Sequence, residues 1–258
     1  MPYILVTNDD GVEAPGLLSL KKALEAIGEV AVFAPDHNWS AAGHPKTMHK
    51  PLRVEEVRLA DGTLAYASNG APSDCVALAI LGLLPRKPDL VVSGINLGGN
   101  MGHDITYSGT VAAAIEAVIS GIPAIAVSID TFSSDADYSV AAQFAARLAR
   151  YVLEKGLPPY TLLNVNVPAL PADEIKGVRL TRLGRRVYKD VLIRRKDPRG
   201  KDYYWLGGGP PKDVIEEGTD VGAVAQGYIS VTPLHLDMTD YKLLEQLKSW
   251  EIFKSDSP

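Results

Sequence analysis

Short runs of residues that are apolar at nearly every position recur along the first two-thirds of this chain, alternating with stretches of helical periodicity. That alternation limits the fold more than any other feature. The runs are Tyr3-Ile4-Leu5-Val6-Thr7, Val30-Ala31-Val32-Phe33-Ala34, Asp89-Leu90-Val91-Val92-Ser93, Ala124-Ile125-Ala126-Val127-Ser128 and Leu162-Leu163-Asn164-Val165-Asn166-Val167. A strand with one face in water alternates apolar and polar residues, whereas a strand covered on both faces need not. Leu17, Leu18, Leu20, Leu24 and Ile27 mark the stripe of a first helix, and further helices are expected near residues 72–84, 109–120 and 136–155. The series predicts an α/β fold, a Rossmann-like and mostly parallel sheet with helices on both faces.

Past residue 178 the pattern changes. Residues 1–178 are expected to form a Rossmann-like domain carrying the candidate catalytic residues. Residues 179–258 are expected to add strands, a β-hairpin and a helix packed on the same fold. The hairpin should span 185–206 with its turn at Asp197-Pro198-Arg199-Gly200, followed by a strand at 227–232 and an amphipathic helix at 239–249. Residues 182–201 carry nine Lys or Arg against two Asp, in a chain of net charge −5. Such an island reads as a solvated hairpin, an oligomerisation arm or an electrostatic funnel for anionic substrates. Tyr203-Tyr204-Trp205 adds aromatic surface of the kind interfaces favour.

The overall negative charge argues against general nucleic-acid binding, and no stable nucleic-acid partner is expected. One cysteine, Cys75, allows no internal disulfide and reads as a packed thiol on a helix. The five histidines lack the HxxxH or HExxH spacing of a zinc site. The amino terminus opens on a strand rather than a charged segment and an apolar stretch, so no signal peptide is expected. No apolar run is long enough to span a bilayer, and the expected location is cytoplasmic.

Three strand-end loops concentrate polar chemistry. After the first strand comes Asn8-Asp9-Asp10-Gly11, whose adjacent carboxylates repel each other and would be relieved by a hard divalent cation. A helix cap or a turn would use the same residues. After the second strand, Ala34-Pro35-Asp36-His37-Asn38-Trp39-Ser40-Ala41-Ala42-Gly43-His44 is either a surface loop or the source of one more oxygen ligand, Ser40. The third loop, Ser93-Gly94-Ile95-Asn96-Leu97-Gly98-Gly99-Asn100-Met101-Gly102, runs on to Tyr107-Ser108-Gly109-Thr110-Val111 and an alanine-rich helix. Ser108 could be an ordinary cap, or the helix start could hold a phosphate on its unpaired N–H groups. Asp9, Asp10, Ser40 and Asn96 together form an all-oxygen set that suits Mg2+ or Mn2+ better than Zn2+. A metal beside a phosphate cradle is equipment for phosphate-ester hydrolysis.

Asn8-Asp9-Asp10-Gly11, Ser93-Gly94-Ile95-Asn96 and Tyr107-Ser108-Gly109-Thr110-Val111 resemble the signature motifs of the survival protein SurE family. The resemblance extends to Gly70-Ala71-Pro72-Ser73-Asp74-Cys75-Val76 and Glu217-Gly218-Thr219-Asp220, and so covers nearly the whole chain. It implies a metal-dependent nucleoside monophosphate phosphatase whose ligands for one divalent cation per subunit would be Asp9, Asp10, Ser40 and Asn96. The implied catalytic set is Asp9, Asp10, Asn96 and Ser108. Phosphate and substrate contacts would come from Asn8, Ser40, Gly43, Asn96, Ser108, Gly109 and Thr110. The second loop departs from the family's arginine-serine-glycine form, reading Trp39-Ser40-Ala41-Ala42-Gly43, but keeps the serine. Members are typically dimers or tetramers joined through carboxyl-terminal elements, which implies the same use for residues 185–206 and 239–249.

The expected reaction is hydrolysis of nucleoside 5′-monophosphates by water, with 3′-nucleotidase and exopolyphosphatase activity as further candidates. A dinucleotide-dependent oxidoreductase would need G-x-G-x-x-G after the first strand, where this chain reads Asn8-Asp9-Asp10-Gly11-Val12-Glu13. A non-catalytic nucleotide or RNA binder acting through the basic 182–201 segment is the remaining alternative.

Overall fold

In a computed structural model describing residues 1–209 and 212–253, the apolar runs become the strands of one sheet. The first half comprises β1 (Tyr3–Thr7), α1 (Pro15–Leu24), β2 (Glu29–Pro35), β3 (Val54–Arg58), β4 (Leu64–Ser68), α2 (Pro72–Leu78), β5 (Leu90–Leu97) and α3 (Gly109–Ile119). Then follow β6 (Ala124–Asp130), α4 (Ser139–Lys155), β7 (Thr161–Pro168), β8 (Val178–Leu180), β9 (Arg185–Val187), β10 (Asp190–Lys196) and β11 (Asp202–Gly208). β12 (Lys212–Val214), α5 (Asp220–Ala225), β13 (Ile229–His235) and α6 (Tyr241–Leu247) complete the order. Nine strands pair as β3-β4-β2-β1-β5-β6-β7-β13-β8. The run from β4 through β7 is parallel, while β3 and β13 pair antiparallel to β4 and β7.

Both faces of this sheet are covered, as the unbroken apolar strands require. Ile4 and Val6 of β1 pack with Leu17, Leu20 and Leu24 of α1 and with Ala141, Ala145 and Ala149 of α4. Tyr3 and Leu5 point the other way, toward Cys75 and Val76 of α2 and Val111, Ala113 and Ala117 of α3. Small alanines on α3 let that helix lie close against the strands. Cys75 is fully buried and its thiol is pushed well above the ordinary range by desolvation, in keeping with an inert packed group.

Several boundaries differ from the sequence expectation. β3 and β4 are additions to the expected series: Val54-Glu55-Glu56-Val57-Arg58 is a largely exposed, charged edge strand with no apolar run to mark it, whereas Leu64-Ala65-Tyr66-Ala67-Ser68 is a short apolar run that the expected series leaves out. The helix expected over 72–84 becomes α2 followed by a π-helical stretch, Ala79–Leu83, closed by Gly82 at φ +128°. β5 continues past Ser93 to Leu97, with an irregularity in its pairing to β6 between Ser93 and Asn96. The hairpin expected over 185–206 is shifted: β10 pairs with β11, whereas β9 pairs with β12. Its turn lies where the sequence places it, with Asp197 accepting backbone N–H bonds from Arg199 and Lys201. Among the described residues, no helix is long and apolar enough to cross a membrane.

Chain order and strand order together locate the ligand end. From β1 the chain winds outward through β2 and β4, then returns to start β5 on the other side of β1. In doubly wound sheets the crevice beyond the carboxyl ends of such a strand pair is where ligands bind. Asp9 and Asp10 leave β1 there, and Asn96 is the last residue but one of β5.

Candidate active site

Asp9 is almost fully buried, at 3% exposure. Its Oδ1 accepts a hydrogen bond from the Thr110 hydroxyl at the start of α3. Burial pushes the Asp9 carboxyl up to about 6; the Thr110 bond opposes that rise and the neighbouring Asp10 charge adds to it. Asp10 is more open. Its Oδ2 accepts from the Leu97 backbone N–H at 3.2 Å and its Oδ1 from the Asn38 amide at 3.2 Å. Its pKa is also raised, again chiefly by burial.

The second loop is tied to this pair by its backbone. Trp39 N–H donates to the Asp9 carbonyl at 2.7 Å, and Ser40 N–H donates to Asn38 Oδ1 at 2.7 Å. Asn38 therefore joins Ser40 to Asp10. Gly43, at φ +68°, donates its N–H to the Tyr107 carbonyl at 2.9 Å and pins the loop's far end to the approach to α3. Asn96 donates its amide Nδ2 to the Gly98 carbonyl at 2.7 Å, so its amide oxygen is the group that could serve a ligand.

At the start of α3, Ser108 caps the helix by accepting from the Val111 N–H at 3.1 Å. Gly109 is required by proximity, since a Cβ there would sit 2.7 Å from the Asp9 Cβ. Asn8 is wholly buried and bonds Gly11 in both directions, donating to its carbonyl at 2.9 Å and accepting from its N–H at 3.2 Å. Asn8 thus builds the turn that presents the two aspartates.

An open cleft of about 750 Å3 runs over this edge of the sheet. Asp9, Ser40, Asn96 and Ser108 line it; Asn8, Gly109 and Thr110 are buried, and the half-buried Asp10 and Gly43 are not among its lining residues. The donors present fit a hard divalent cation. Asp9 is a buried carboxylate whose perturbing neighbours include no cationic side chain, and it is joined by a second carboxylate, a hydroxyl and an amide oxygen. Groups of three or more Asp, Glu, His or Cys that could hold a metal are absent among the described residues, so the set depends on Ser40 and Asn96.

Sequence reasoning missed the opposite wall. Asp104, Asp130, Asp213, Arg186, Tyr188 and Phe132 line the same cleft. Arg186 Nε donates to Asp213 at 2.9 Å, and one terminal nitrogen donates to Asp104 at 3.1 Å and to the Gly99 carbonyl at 3.2 Å. Tyr188 donates to Asp104 at 2.6 Å and its hydroxyl is pushed up to about 12, by burial first and then by that carboxylate. Asp130 ends an apolar strand just as Asp9 follows one, a signal that could have found it. Arg186 was hidden within the basic island.

Known proteins resemble this chain over most of its length. The family description "Survival protein SurE" matches residues 4–190. The chain is 54% identical over 250 residues to a Chloroflexus aggregans protein named 5′-nucleotidase SurE, covering 96% of this chain and 99% of that one. A Geobacter metallireducens protein of the same name is 55% identical over 248 residues, covering 96% and 97%. The crystal structure of SurE protein from Aquifex aeolicus superposes with a TM-score of 0.83 at 44% identity, covering 96% of this chain and 98% of that chain.

Proposed function

The chain belongs to the survival protein SurE family, and from that premise we propose that it is a 5′-nucleotidase acting with one Mg2+ or Mn2+ per subunit. The observation that carries the reading is the single cleft joining Asp9, Ser40 and Asn96 to the capped start of α3. Asp9, Asp10, Ser40 and Asn96 would hold the cation. When bound, a divalent cation neutralises phosphoryl charge and eases attack by water.

The chain's own residues complete the chemistry. The α3 amino terminus at Ser108, Gly109 and Thr110 stabilises negative charge on the phosphoryl group through unpaired N–H groups and the helix dipole. Thr110 fixes one oxygen of Asp9, and the Asp10 carboxylate is held by the Leu97 N–H and the Asn38 amide. Of the two carboxylates Asp9 lines the cleft, which favours Asp9 for orienting the attacking water. The Arg186 guanidinium is engaged by Asp104 and Asp213, so phosphoryl charge falls to the cation and the helix start.

Oligomerisation through the carboxyl-terminal elements is part of the same reading, as a dimer or tetramer. β10 and β11 expose Leu192, Trp205 and Leu206 at 64%, 62% and 88%, and α6 has no buried residue. Surface of that kind favours a protein partner over solvent. A phosphate-release screen over nucleoside 5′- and 3′-monophosphates, polyphosphate and simple phosphate esters, with and without EDTA, tests the function. Release from 5′-monophosphates that stops on chelation and returns with Mg2+ or Mn2+ is expected, and release indifferent to EDTA would contradict it.

A further inference from the structure

The cleft that holds the catalytic groups also carries chemistry that they do not use. Phe132, just past the end of β6, is 83% exposed although its ring lies on the backbone of Gly98, where a Cβ would come within 2.7 Å of a ring carbon. Gly98 is thus a shelf for an aromatic ring whose outer face is open to the cleft. Tyr107, 66% exposed, lines the cleft too. Two exposed rings lining one cleft offer faces on which a flat apolar group can stack.

Beside Phe132 stands Asp130, packed against Gly99, where a Cβ would meet its Oδ1 at 2.7 Å. Every other acid named on this wall has a close donor: Asp104 has Tyr188 and Arg186, and Asp213 has Arg186. Asp130 has only Arg186, at 3.9 Å, beyond hydrogen-bond reach. A half-buried carboxylate in that state accepts readily from a hydroxyl that enters the cleft. Arg186 is the one Lys or Arg among the described residues lining the cleft; its Nε and one terminal nitrogen are bound by Asp213, Asp104 and the Gly99 carbonyl, and it stands among acids, so this wall does not suit a second phosphate.

Resting on the reading of this cleft as a nucleotidase site, we infer that Phe132 and Asp130 are its nucleoside-recognition residues, Phe132 as the platform for the base and Asp130 as the acceptor for ribose hydroxyls. Aromatic faces hold any base by stacking, so the site selects for a nucleoside and discriminates weakly among bases. The sugar contact makes it prefer ribose to a sugar stripped of hydroxyls.

Steady-state phosphate release with Mn2+ tests this on AMP, 2′,3′-dideoxy-AMP and glycerol 1-phosphate, using wild type, Phe132→Ala, Phe132→Leu, Asp130→Ala and Asp130→Asn. In wild type, AMP should exceed the other two esters in kcat/KM. Phe132→Ala should cut the AMP-to-glycerol-phosphate ratio about ten-fold, mainly through KM, with Phe132→Leu between. Asp130→Ala should collapse the AMP-to-dideoxy-AMP ratio, with Asp130→Asn partly restoring it through its amide oxygen. Ratios unmoved by these substitutions, in an enzyme that still hydrolyses AMP, would overturn the inference and leave the nucleotidase reading standing. A wild-type protein inactive on all three esters would overturn both.

Discussion

The Asp9 carboxylate lies so close to Gly109 that a Cβ on that glycine would come within 2.7 Å of the Asp9 Cβ and 2.9 Å of its Oδ2. The backbone at the start of α3 and the buried acid after β1 therefore share one space, which only a glycine leaves open. Gly109→Ala should push Asp9 or the helix start aside. Displacement of that order at reacting groups costs roughly 100-fold in rate. A kcat/KM fall of that size, with a thermal midpoint only slightly lowered, is the expected result from kinetics and circular dichroism melts.

Thr110 holds Asp9 from the same helix turn. Thr110→Val removes the donor while keeping the volume, and should lower kcat about ten-fold, the effect of one lost hydrogen bond to a charged group. Thr110→Ser should retain most of the rate. Equal turnover in the Val and Ser variants would show that the hydroxyl has no part in fixing the acid.

Asp220 is completely buried and accepts backbone N–H bonds from Gly102 at 2.8 Å, Gly184 at 2.7 Å and Val221 at 2.8 Å. It ties the glycine-rich loop to the chain leading into β9. Asp220→Ala would leave three donors without their acceptor and should destabilise the fold by about 3 kcal/mol. Urea unfolding measures this, with Asp220→Asn expected between the two.

Lys21 is 2% exposed and donates to Asp61 at 2.7 Å and to Thr63 at 2.6 Å, with Glu25 at 2.9 Å. The Lys21 bond holds the Asp61 carboxyl well below its ordinary range, and the carboxylates raise Lys21 despite its burial. A depressed acid gives stability that is present above its unfolded pKa and is lost as pH falls through the folded one. The raised lysine gives stability that is present below its unfolded pKa and is lost as pH rises through its folded value. This pair's contribution to the thermal midpoint should therefore be level near neutrality and fall in acid below the usual carboxylate range. Lys21→Met should flatten the acid limb; an unchanged limb would deny the pair that role.

Much of this was legible beforehand, and for physical reasons. Strands buried on both faces carry an unmistakable pattern, so β1, β2, β5, β6 and β7 could be read from their residues alone. Strand ends then pointed to Asp9, Asp10 and Asn96. Val54–Arg58 escaped because an edge strand is free to be polar. The roles of Asn8 and Gly43 as supports rather than cleft-lining groups depend on which way their bonds point, which spacing does not reveal. Arg186 looked like one more surface charge in residues 182–201, yet its partners Asp104, Asp130 and Asp213 come from distant parts of the chain. Long-range pairing of that kind leaves no local trace.

The most direct measurement is phosphate release from AMP by wild type, Asp9→Asn and Asp10→Asn at saturating Mn2+, each repeated after EDTA. The account predicts wild-type turnover that chelation abolishes and added metal restores, and a loss of at least about 100-fold in both variants with their folded spectra intact. Near-wild-type turnover in either variant, or wild-type turnover that survives EDTA, would contradict it.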